Sequence, residues 1–420
     1  MLDIRLFRAD PELVRRGLAS RGEDTSVVDT IRETDAEWRS DLGRLEALRA
    51  RRNAGSKEIA TTSDPAARRE GIDAMRALGQ QIKALEAQVA ATEAEVHGLL
   101  MAVPNLPDPG VPAGDSDADN VVVRSVGTPA PAADAKAHWD LGTELGIIDF
   151  EAGARLAGSR FYVLRGAGAR LQRALIDWML ELQSSRGYLE IYPPFVVREQ
   201  CMRNSGQLPK FADNLYRDVE DDLWLVPTAE VPLTNLHAGE ILEDEDLPMA
   251  YVAHTACFRR EKMSAGRDVR GIKRGHQFEK VELYRITRPE DSESALENMV
   301  HDATAVLEGL ELPYRVAAVC TGDLGFAARK TYDVEVWAPG VREWLEVSSA
   351  SNVGDFQARR ASIRFRRRRG GPPEPVHTLN ASGLALPRTM IAVLESYQTP
   401  DGGIRVPTVL QSRMGTDVIV

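Results

Sequence analysis

The sequence is poor in cysteine, the residue that builds disulfide frameworks and many zinc sites. Its 420 residues include only three cysteines, Cys201, Cys257 and Cys320, which lie more than 50 positions apart. This spacing excludes a disulfide-stabilised scaffold and a C-x-x-C zinc motif. The seven histidines do not cluster at the spacing of metal ligands either. We therefore expect buried or inert thiols and no zinc.

Long apolar runs are also missing. No stretch approaches the roughly 18 apolar residues of a membrane span, and residues 1–10 carry charges every few positions instead of the apolar region of a secretion signal. The sequence thus predicts a cytoplasmic protein without a membrane partner. The net charge of −11 counts against general binding of polyanions, so any nucleic acid should be bound by a local basic region.

The signatures of several enzyme classes are absent. Gly166-Ala-Gly168 starts like a dinucleotide-binding fingerprint, but Leu171 stands where a third glycine is needed, and no Gly-Lys-Ser/Thr follows a glycine-rich loop. The sequence also lacks the Gly-x-Ser-x-Gly elbow of many hydrolases and the His-Glu-x-x-His helix of zinc proteases. These absences count against both familiar phosphate-binding loops and against hydrolase chemistry.

Heptad patterns are prominent near the start of the chain. Apolar residues repeat at heptad spacing in residues 30–60 and again, more regularly, in residues 66–100. A turn separates the two segments, with Ser63 or Asp64 as the candidate N-cap of the second helix and Pro65 at its first position. Two such helices joined by a short turn must pack against each other. The pattern therefore predicts an antiparallel coiled-coil hairpin, each helix roughly 45–50 Å long at about 1.5 Å per residue.

The outer half of this predicted hairpin is basic. Residues 44–83 carry nine basic and five acidic side chains, a local charge of +4 (nine minus five) in a protein of charge −11. A projecting basic rod suits the phosphate backbone of a nucleic acid, because neutralised phosphates release their counterions. A solvated face, a dimerisation element and a rigid spacer are the alternatives. The candidate nucleic-acid contacts are Arg44, Arg49, Arg51, Arg52, Lys57, Arg68, Arg69 and Arg76.

Proline, glycine and aspartate are dense in residues 103–120, which is typical of a linker. Beyond them, short β-branched or aromatic runs alternate with longer helical segments, so we predict an α+β fold with a mostly antiparallel sheet. The predicted domain plan is an N-terminal domain over residues 1–102 with an arm at about 30–100, a linker over 103–130 and a larger domain over 131–420. The predicted strands are 160–164, 189–197, 250–257, 281–286, 331–337 and 344–348, and the predicted helices of the larger domain are 168–186, 292–308 and 387–397.

Arginine and carboxylate residues alternate densely around a basic, glycine-containing loop in the larger domain. On its strand-like ends, residues two apart share a face, so Arg259 would project with Glu261, and Phe278 with Lys280 and Glu282. Guanidinium groups bind phosphate bidentately, an aromatic ring can stack on a base, and a carboxylate can hold a ribose, an ammonium or Mg²⁺. A cross-strand ladder of salt bridges would give the same pattern.

Five ordered motifs resemble those of bacterial-type seryl-tRNA synthetases, a family of class II aminoacyl-tRNA synthetases. They are Gly187 to Phe195 as motif 1, Val226 to Pro232 as the serine-binding loop, Phe258 to Glu261 with Ser264 to Asp268 and His276 to Glu282 as motif 2, Glu346 to Ser349 and Asp355 to Arg360 as the ATP strand, and His377 to Asn380, Arg388 and Glu395 to Gln398 as motif 3. The opening Met1-Leu-Asp-Ile, the heptad hairpin and Pro104 to Pro107 also fit, so the resemblance covers essentially the whole chain. It implies a class II catalytic domain, an antiparallel β-sheet flanked by helices, preceded by a tRNA-binding domain with an antiparallel α-helical coiled-coil arm.

The same resemblance implies a ligase that activates L-serine with ATP to seryl-adenylate and pyrophosphate, then transfers serine to the 3′ end of tRNA(Ser). It leaves open whether tRNA(Sec) is charged too. Arg259 would contact the α-phosphate, Glu261 the adenine side and Arg388 the γ-phosphate, and these three are the catalytic candidates. The implied ATP site comprises Arg259, Arg260, Glu261, Phe278 stacked on adenine, Glu346, Val347, Ser348, Ser349 and Arg388, with Glu346 and Ser349 holding Mg²⁺. The implied serine site comprises Thr228, Ala229, Glu230, Glu282, Asn380 and Ser382, of which Glu282 and Ser382 are the candidates for reading the hydroxyl.

The resemblance also implies assembly and tRNA contacts. The coiled-coil arm would embrace the long variable arm of tRNA(Ser), in agreement with its basic outer half. The chain would form a homodimer through motif 1, with residues 168–186 and the strand after them at the interface. The arm of one subunit would then reach the tRNA charged by the other.

Several positions depart from the family pattern. Lys262 and Met263 stand in the motif 2 loop where small residues are usual, Ala381 replaces a common glycine, and Val353 stands where cysteine is frequent. None of these changes removes a catalytic charge, but they leave open a specialised paralogue that serves biosynthesis or self-protection. An amino acid:carrier-protein ligase, which usually lacks the arm, and a non-catalytic tRNA-binding protein, which would be expected to lose the ATP-site charges, are further alternatives.

Overall fold

The computed structural model describes residues 1–129, 135–262 and 270–420. They form two compact units, Leu2–Pro104 and Asn105–Val420. Met263 and the motif-like residues 264–268 named above lie outside the described residues. Among the described helices, none combines the length and apolar character needed to cross a lipid bilayer.

The first unit is helical, and its two long helices form the predicted hairpin. Contacts join Asp41 to Gln88 and Arg49 to Glu86, so the long helices run antiparallel. The second long helix begins after Asp64, whose carboxylate accepts hydrogen bonds from the backbone N–H groups two and three residues later, as an N-cap does. The helices of this unit are α1 (Ile4–Ala9), α2 (Pro11–Ala19), α3 (Val27–Thr61) and α4 (Pro65–Ala102).

Close packing between α3 and α4 is concentrated at the base of the hairpin. From residue 46 to 77 no side chain is fully buried. There the helices approach through glycines, because a Cβ on Gly55 or Gly71 would come within 2.8 Å of Met75 or Ile59, respectively. The buried seam at the base consists of Leu45, Leu78, Ile82, Leu85 and Val89.

The second unit is an α+β fold. Its helices are α5 (His138–Glu144), α6 (Phe150–Ala157), α7 (Ala167–Ser185), α8 (Glu199–Ser205), α9 (Glu230–Asn235), α10 (Ser292–Gly309), α11 (Phe356–Ala361), α12 (Leu386–Ser396) and α13 (Gln411–Met414). Its strands are β1 (Val121–Val126), β2 (Ile148–Asp149), β3 (Val163–Leu164), β4 (Leu189–Glu190), β5 (Val196–Arg198), β6 (Leu223–Leu225), β7 (Ile241–Glu243), β8 (Met249–Phe258), β9 (Gln277–Thr287), β10 (Tyr314–Ala318), β11 (Lys330–Ala338), β12 (Glu343–Gly354), β13 (Arg364–Arg366), β14 (Glu374–Pro375), β15 (His377–Ala385), β16 (Ile404–Arg405) and β17 (Val418–Ile419).

An eight-stranded sheet organises this unit, in the order β1-β10-β11-β12-β15-β9-β8-β4. Its pairs are antiparallel except for the short parallel pair of β4 with β8, which confirms the predicted mostly antiparallel sheet. The strands predicted at 250–257, 281–286, 331–337 and 344–348 and the three predicted helices are present. The strand predicted over 189–197 is instead two short strands in different sheets, because the prolines between them cannot donate to a ladder.

The structure corrects the linker predicted over residues 103–130. Residues from Asn105 onward belong to the second unit, and Asn105 Nδ2 donates to the carbonyls of Ala327 and Val353 at 2.9 and 2.8 Å. Strand β1 forms the edge of the large sheet. The proline-rich composition thus marks irregular backbone that is hydrogen-bonded to the unit, not a detached connection.

The main core lies on one face of the large sheet, where α7, α10 and α12 pack their apolar side chains. Val281 and Leu283 point into this core, so the alternate residues of β9 point to the other face. There α9 and α11 cover only the end of the strand, over Tyr284 and Ile286. Beyond that cover the sheet is open and carries a polar cavity.

Candidate active site

A cavity of about 360 Å³ opens on the uncovered face of the sheet. Strands β9, β12 and β15 form its floor, the loop after β8 and the start of α12 form its sides, and the start of α9 closes one end. Most of its lining is charged or polar. The lining residues are Gln207, Thr228, Glu230, Arg259, Glu261, Lys273, Arg274, Gly275, Phe278, Lys280, Glu282, Glu346, Val347, Ser349, Ser351, Asn380, Ser382, Ala385, Pro387 and Arg388.

Strand β9 supplies three side chains to the cavity in the predicted alternation. Phe278, Lys280 and Glu282 all line it, because residues two apart on a strand share a face. Lys280 and Glu282 are buried and form an ion pair, with Nζ 2.5 Å from Oε2. The aromatic ring therefore lies at one end of this row and the buried charges at the other.

Arg259 and Glu261 also line the cavity, but not for the predicted reason. Strand β8 ends at Phe258, and Glu261 has a φ of +50° that no strand residue adopts. Arg259 lies over the ring of Phe278, with 5.2 Å from Cζ to the ring centroid, and Glu261 lies 3.9 Å from Arg274 Nη1. An aromatic ring with a guanidinium and a carboxylate close by is suited to hold a purine and its phosphates.

A β-bulge brings Glu346 and Ser349 to the same face of the sheet. Residues three apart on a regular strand point in opposite directions. Here Glu346 pairs with Glu335 and Ser348 pairs with the preceding residue of β11, so Val347 is the extra, bulged residue. Both oxygen-bearing side chains consequently line the cavity.

Arg388 completes the phosphate end of the cavity from the start of α12. Its Nη1 lies 3.2 Å from Glu346 Oε2 and donates to the Glu346 carbonyl at 2.6 Å. Glu346 is about half exposed, and the nearby charges of Arg388 and Arg259 lower the pKa of this carboxyl below its usual value. The cavity thus holds an ionised carboxylate between two guanidinium groups.

The other end of the cavity is built around Glu230. Its backbone N–H donates to Thr228 Oγ1 at 3.2 Å, and Gln357 Nε2 donates to Glu230 Oε1 at 2.6 Å. Burial raises the pKa of Glu230, opposed by the charge of Lys280 and by hydrogen bonds from Gln357 and Asn380. Asn380 Oδ1 is buried without a partner among the described residues, so this end presents an acceptor to a ligand.

Glu282 has the most strongly perturbed carboxyl group in this part of the cavity. Burial raises its pKa to about 7, the charge of Lys280 acts against that rise, and the charge of Glu230 adds to it. The two carboxylates are therefore buried near each other and repel, and the charge of Lys280 acts on both.

The residues present fit a magnesium ion that also binds a phosphate ligand. Carboxylate and hydroxyl oxygens are hard ligands, and Mg²⁺ is usually held by one or two carboxylates together with substrate phosphates. Glu346 and Ser349 supply such oxygens on one face. In the described ranges no three histidine, cysteine or acidic side chains gather as a metal cage.

Three residues predicted for the site do not line the cavity. Ala229 is buried in the apolar cluster between α9 and α11, and Ser348 points into the main core next to the bulge. Arg260 is exposed, and its backbone N–H bonds to the Asn214 carbonyl. Ala229 and Ser348 were assigned to the site because they lie within continuous motif segments. Not every residue of such a segment can point toward the cavity.

The positions that depart from the family pattern and are described in the structure lie outside the cavity lining. Ala381 points into the core from β15, and Val353 is buried where its carbonyl accepts a bond from Asn105. Lys262 is exposed, with its backbone N–H on Asn214 Oδ1.

Sequence reasoning missed several lining residues. Ser351 was detectable, because it lies two positions from the predicted site residue Ser349 on the same strand. Lys280 was placed on this face by the same alternation, without a role in the site. Lys273 and Arg274 lie in the basic loop, where no periodicity fixes a direction. Gln207 comes from a separate segment and carries no local signal. The missed lining residues are Gln207, Lys273, Arg274, Gly275, Ser351, Ala385 and Pro387.

The eight basic residues proposed as nucleic-acid contacts all lie on α3 and α4 and are exposed. Arg44 is paired with Asp41 of its own helix, and Arg49 bridges to Glu86 of α4. In the described structure the other six form no ion pair, namely Arg51, Arg52, Lys57, Arg68, Arg69 and Arg76. The outer half of the hairpin therefore presents uncompensated positive charge.

Both units match models of known protein families. Residues 211–397 match the tRNA synthetase class II core domain (G, H, P, S and T), and residues 1–107 match the seryl-tRNA synthetase N-terminal domain. The chain is 58% identical over 416 residues to a serine--tRNA ligase of Roseiflexus sp. (strain RS-1), covering 99% of this chain and 98% of that protein. It is 53% identical over 427 residues to a serine--tRNA ligase of Dehalococcoides mccartyi (strain CBDB1), with 100% of both chains covered.

Solved structures agree over the whole chain. A seryl-tRNA synthetase from Pyrococcus horikoshii, complexed with ATP, superposes with a TM-score of 0.94 at 39% identity, covering 100% of this chain and 99% of that one. A cytoplasmic serine-tRNA ligase from Naegleria fowleri, in complex with AMP, gives a TM-score of 0.88 at 33% identity, covering 100% and 98%. The chain therefore belongs to the seryl-tRNA synthetase family.

Proposed function

We propose that this protein is a serine--tRNA ligase. It activates L-serine with ATP to give seryl-adenylate and pyrophosphate, then transfers the seryl group to the 3′ end of tRNA(Ser). The observation that carries this proposal is a single cavity with a ring and two guanidinium groups at one end and two buried carboxylates with Ser382 and Asn380 at the other. The full-length relatives named above support the same reaction. Neither they nor the cavity favours a paralogue or a carrier-protein ligase.

The first step needs positioning and charge neutralisation more than proton transfer. A carboxylate oxygen of serine attacks the α-phosphorus in line, and the bond between that phosphorus and the pyrophosphate oxygen breaks. Arg259 neutralises the α-phosphate, Arg388 the γ-phosphate, and Phe278 holds the adenine with Glu261 at its edge. Such fixed charges stabilise the charge that develops in the transition state. Glu346 and Ser349 would hold Mg²⁺, which supplies further neutralisation of the phosphates.

Serine recognition depends on buried polar groups. A site that hydrogen-bonds a substrate hydroxyl can reject the analogue without it by about 10⁴–10⁵, because its own polar groups are left unpaired. Glu282, Ser382 and Asn380 are placed for that task, and Glu230 with Thr228 for the amino group. Size alone would discriminate serine from alanine poorly.

We assign the two units different tasks. The class II unit carries out both chemical steps, and the first unit binds tRNA(Ser) through the uncompensated cations of α3 and α4, since RNA helices are recognised mainly by shape and backbone.

The protein acts as a homodimer through motif 1, where Leu189 and Tyr192 leave 61% and 84% of their surfaces exposed, an arrangement typical of a contact surface. Its cytoplasmic location follows from a tRNA substrate.

The test is serine-dependent exchange between ATP and pyrophosphate, followed by charging of total tRNA with labelled serine. Arg259→Ala should lower kcat for exchange by about 10²–10³, as loss of one transition-state donor does. Arg260→Ala is the matched control, because its side chain lies outside the cavity, and it should retain activity within about twofold. Wild-type protein that supports no serine-dependent exchange would contradict the proposal. Exchange without charging of any tRNA would contradict the assigned acceptor.

A further inference from the structure

Lys280 is a buried cation in the middle of the amino-acid end of the cavity. Only 7% of its surface is exposed, and its strand is paired on both sides, with Thr255 of β8 and Ala385 of β15 opposite it. Its Nζ lies 2.5 Å from Glu282 Oε2. Because a buried charge is costly without a partner, the lysine and Glu282 hold each other in one geometry.

Lys280 lies close to two carboxylates. The titratable and charged groups that face it are Glu282 on the same strand, Glu230 at the start of α9, Arg259 after β8 and Cys257 within β8. Arg259 lies over Phe278 at the phosphate end. Two carboxylates and one lysine therefore lie together in this part of the cavity, and the second cation, Arg259, lies at the phosphate end.

We propose that Lys280 is a positioning residue for serine recognition. It is the fixed counter-ion that keeps Glu282 ionised as an acceptor for the substrate hydroxyl and leaves Glu230 as the carboxylate that the substrate ammonium neutralises. This inference rests on the proposed function and adds to it a division of labour between the two acids.

The ionised state of Glu282 bears directly on the rejection of alanine. An unpaired charged acceptor costs more than an unpaired neutral one, since hydrogen bonds to charged groups are stronger than hydrogen bonds between neutral groups. With the lysine present, burial already raises the pKa of Glu282 to about 7. Without the lysine this pKa must rise further, and a protonated Glu282 would tolerate the missing hydroxyl better.

The experiment compares Lys280→Met with Lys280→Arg in serine-dependent exchange from pH 6 to 9. For Lys280→Met we expect kcat/KM for serine to fall at least tenfold and the serine-to-alanine preference to fall about tenfold. The acid limb of the pH profile of kcat/KM should move to higher pH. The KM for ATP should stay within about twofold, and Lys280→Arg should recover part of the serine-to-alanine preference. Equal losses for serine and ATP with an unmoved pH profile would overturn the inference.

Two further measurements keep the inference separate from folding and from the proposed function. Glu282→Gln alone and the double variant Lys280→Met/Glu282→Gln are assayed in the same way, with thermal unfolding as a check on the fold. If Lys280 acts through Glu282, adding Lys280→Met to Glu282→Gln should change serine kcat/KM by no more than about twofold, whereas independent, multiplying losses would overturn the inference. Failure of the wild-type protein to exchange with serine would refute the proposed function instead.

Discussion

The base of the basic loop rests on a buried histidine. His138 Nδ1 lies 2.8 Å from Glu395 Oε1, and His138 Nε2 accepts a hydrogen bond from the Ile272 N–H at 3.2 Å. The loop then brings Lys273 and Arg274 into the cavity. Because both ring nitrogens of His138 have partners, a small displacement of this histidine should also displace Lys273 and Arg274 at the phosphate end of the active site.

Gly271 is the residue whose substitution tests this anchor. It has a φ of +80°, and a Cβ there would lie 2.2 Å from His138 Nε2. Gly271→Ala should therefore destabilise the protein by about 1–3 kcal/mol through backbone strain, with about 1–3 kcal/mol more through overpacking. It should also raise the KM for ATP at least tenfold. Thermal unfolding and pyrophosphate exchange measure the two effects.

Gly239→Ala provides the control for backbone strain alone. Gly239 has a φ of +82°, and no atom lies within 4 Å of the position of its Cβ. It should share the strain but leave the KM for ATP unchanged. Equal effects of the two variants on ATP kinetics would show that His138 does not anchor the loop.

Individual site residues were predictable to the extent that strand periodicity was regular. Alternation correctly placed Phe278, Lys280 and Glu282 on one face. It could not place Glu346 with Ser349, because the bulge at Val347 depends on pairing with β11, a contact between distant parts of the chain. A pattern within one strand contains no information about such a pairing defect.

At the scale of elements, α3 and α4 of the helical hairpin pack together unevenly along their length. Its apolar seam is buried only at the base, and the outer half depends on close approach of α3 and α4 at glycines. Heptad periodicity predicted both helices within a few residues. It did not predict where the seam would open, because side-chain volume at the contact, and not the period alone, sets the distance between helices.

Gly71→Leu should push the outer helices apart, since a Cβ at Gly71 would lie 2.8 Å from Ile59 Cγ1. We expect local destabilisation of about 1–3 kcal/mol and a several-fold lower kcat/KM for tRNA, with serine-dependent exchange unchanged. Gly79→Leu on the same helix is the control, because no atom lies within 4 Å of its Cβ position. That control should gain up to about 1 kcal/mol in helix stability. Identical tRNA kinetics for both variants would contradict a role for the arm's geometry.

At the scale of the whole molecule, periodicity and composition predicted a helical unit followed by an α+β unit, but not that residues after Pro104 belong directly to the second unit. A proline-rich stretch can be a free connection or irregular backbone bound to a domain, and the difference lies in long-range hydrogen bonds such as those of Asn105. Assembly depends on still more distant contacts. The proposed dimer and its shared tRNA therefore require a test in which two chains are combined.

Mixed dimers provide that test. One chain lacks the outer arm, with residues 49–76 replaced by a short turn that preserves the buried seam at the base, and the other carries Arg259→Ala. Neither homodimer should charge tRNA(Ser), the first because its arm cations are missing and the second because adenylate formation is slowed by about 10²–10³. If the arm of one subunit serves the active site of the other, the mixed dimer, purified through two different tags, should recover up to about half of the wild-type charging rate, since one complete arm and site remain paired. Mixed dimers of wild-type and Arg259→Ala chains provide the reference charging rate for a dimer with one working site. Full inactivity of the arm-shortened mixed dimer, with serine-dependent exchange intact, would show that each arm serves its own subunit.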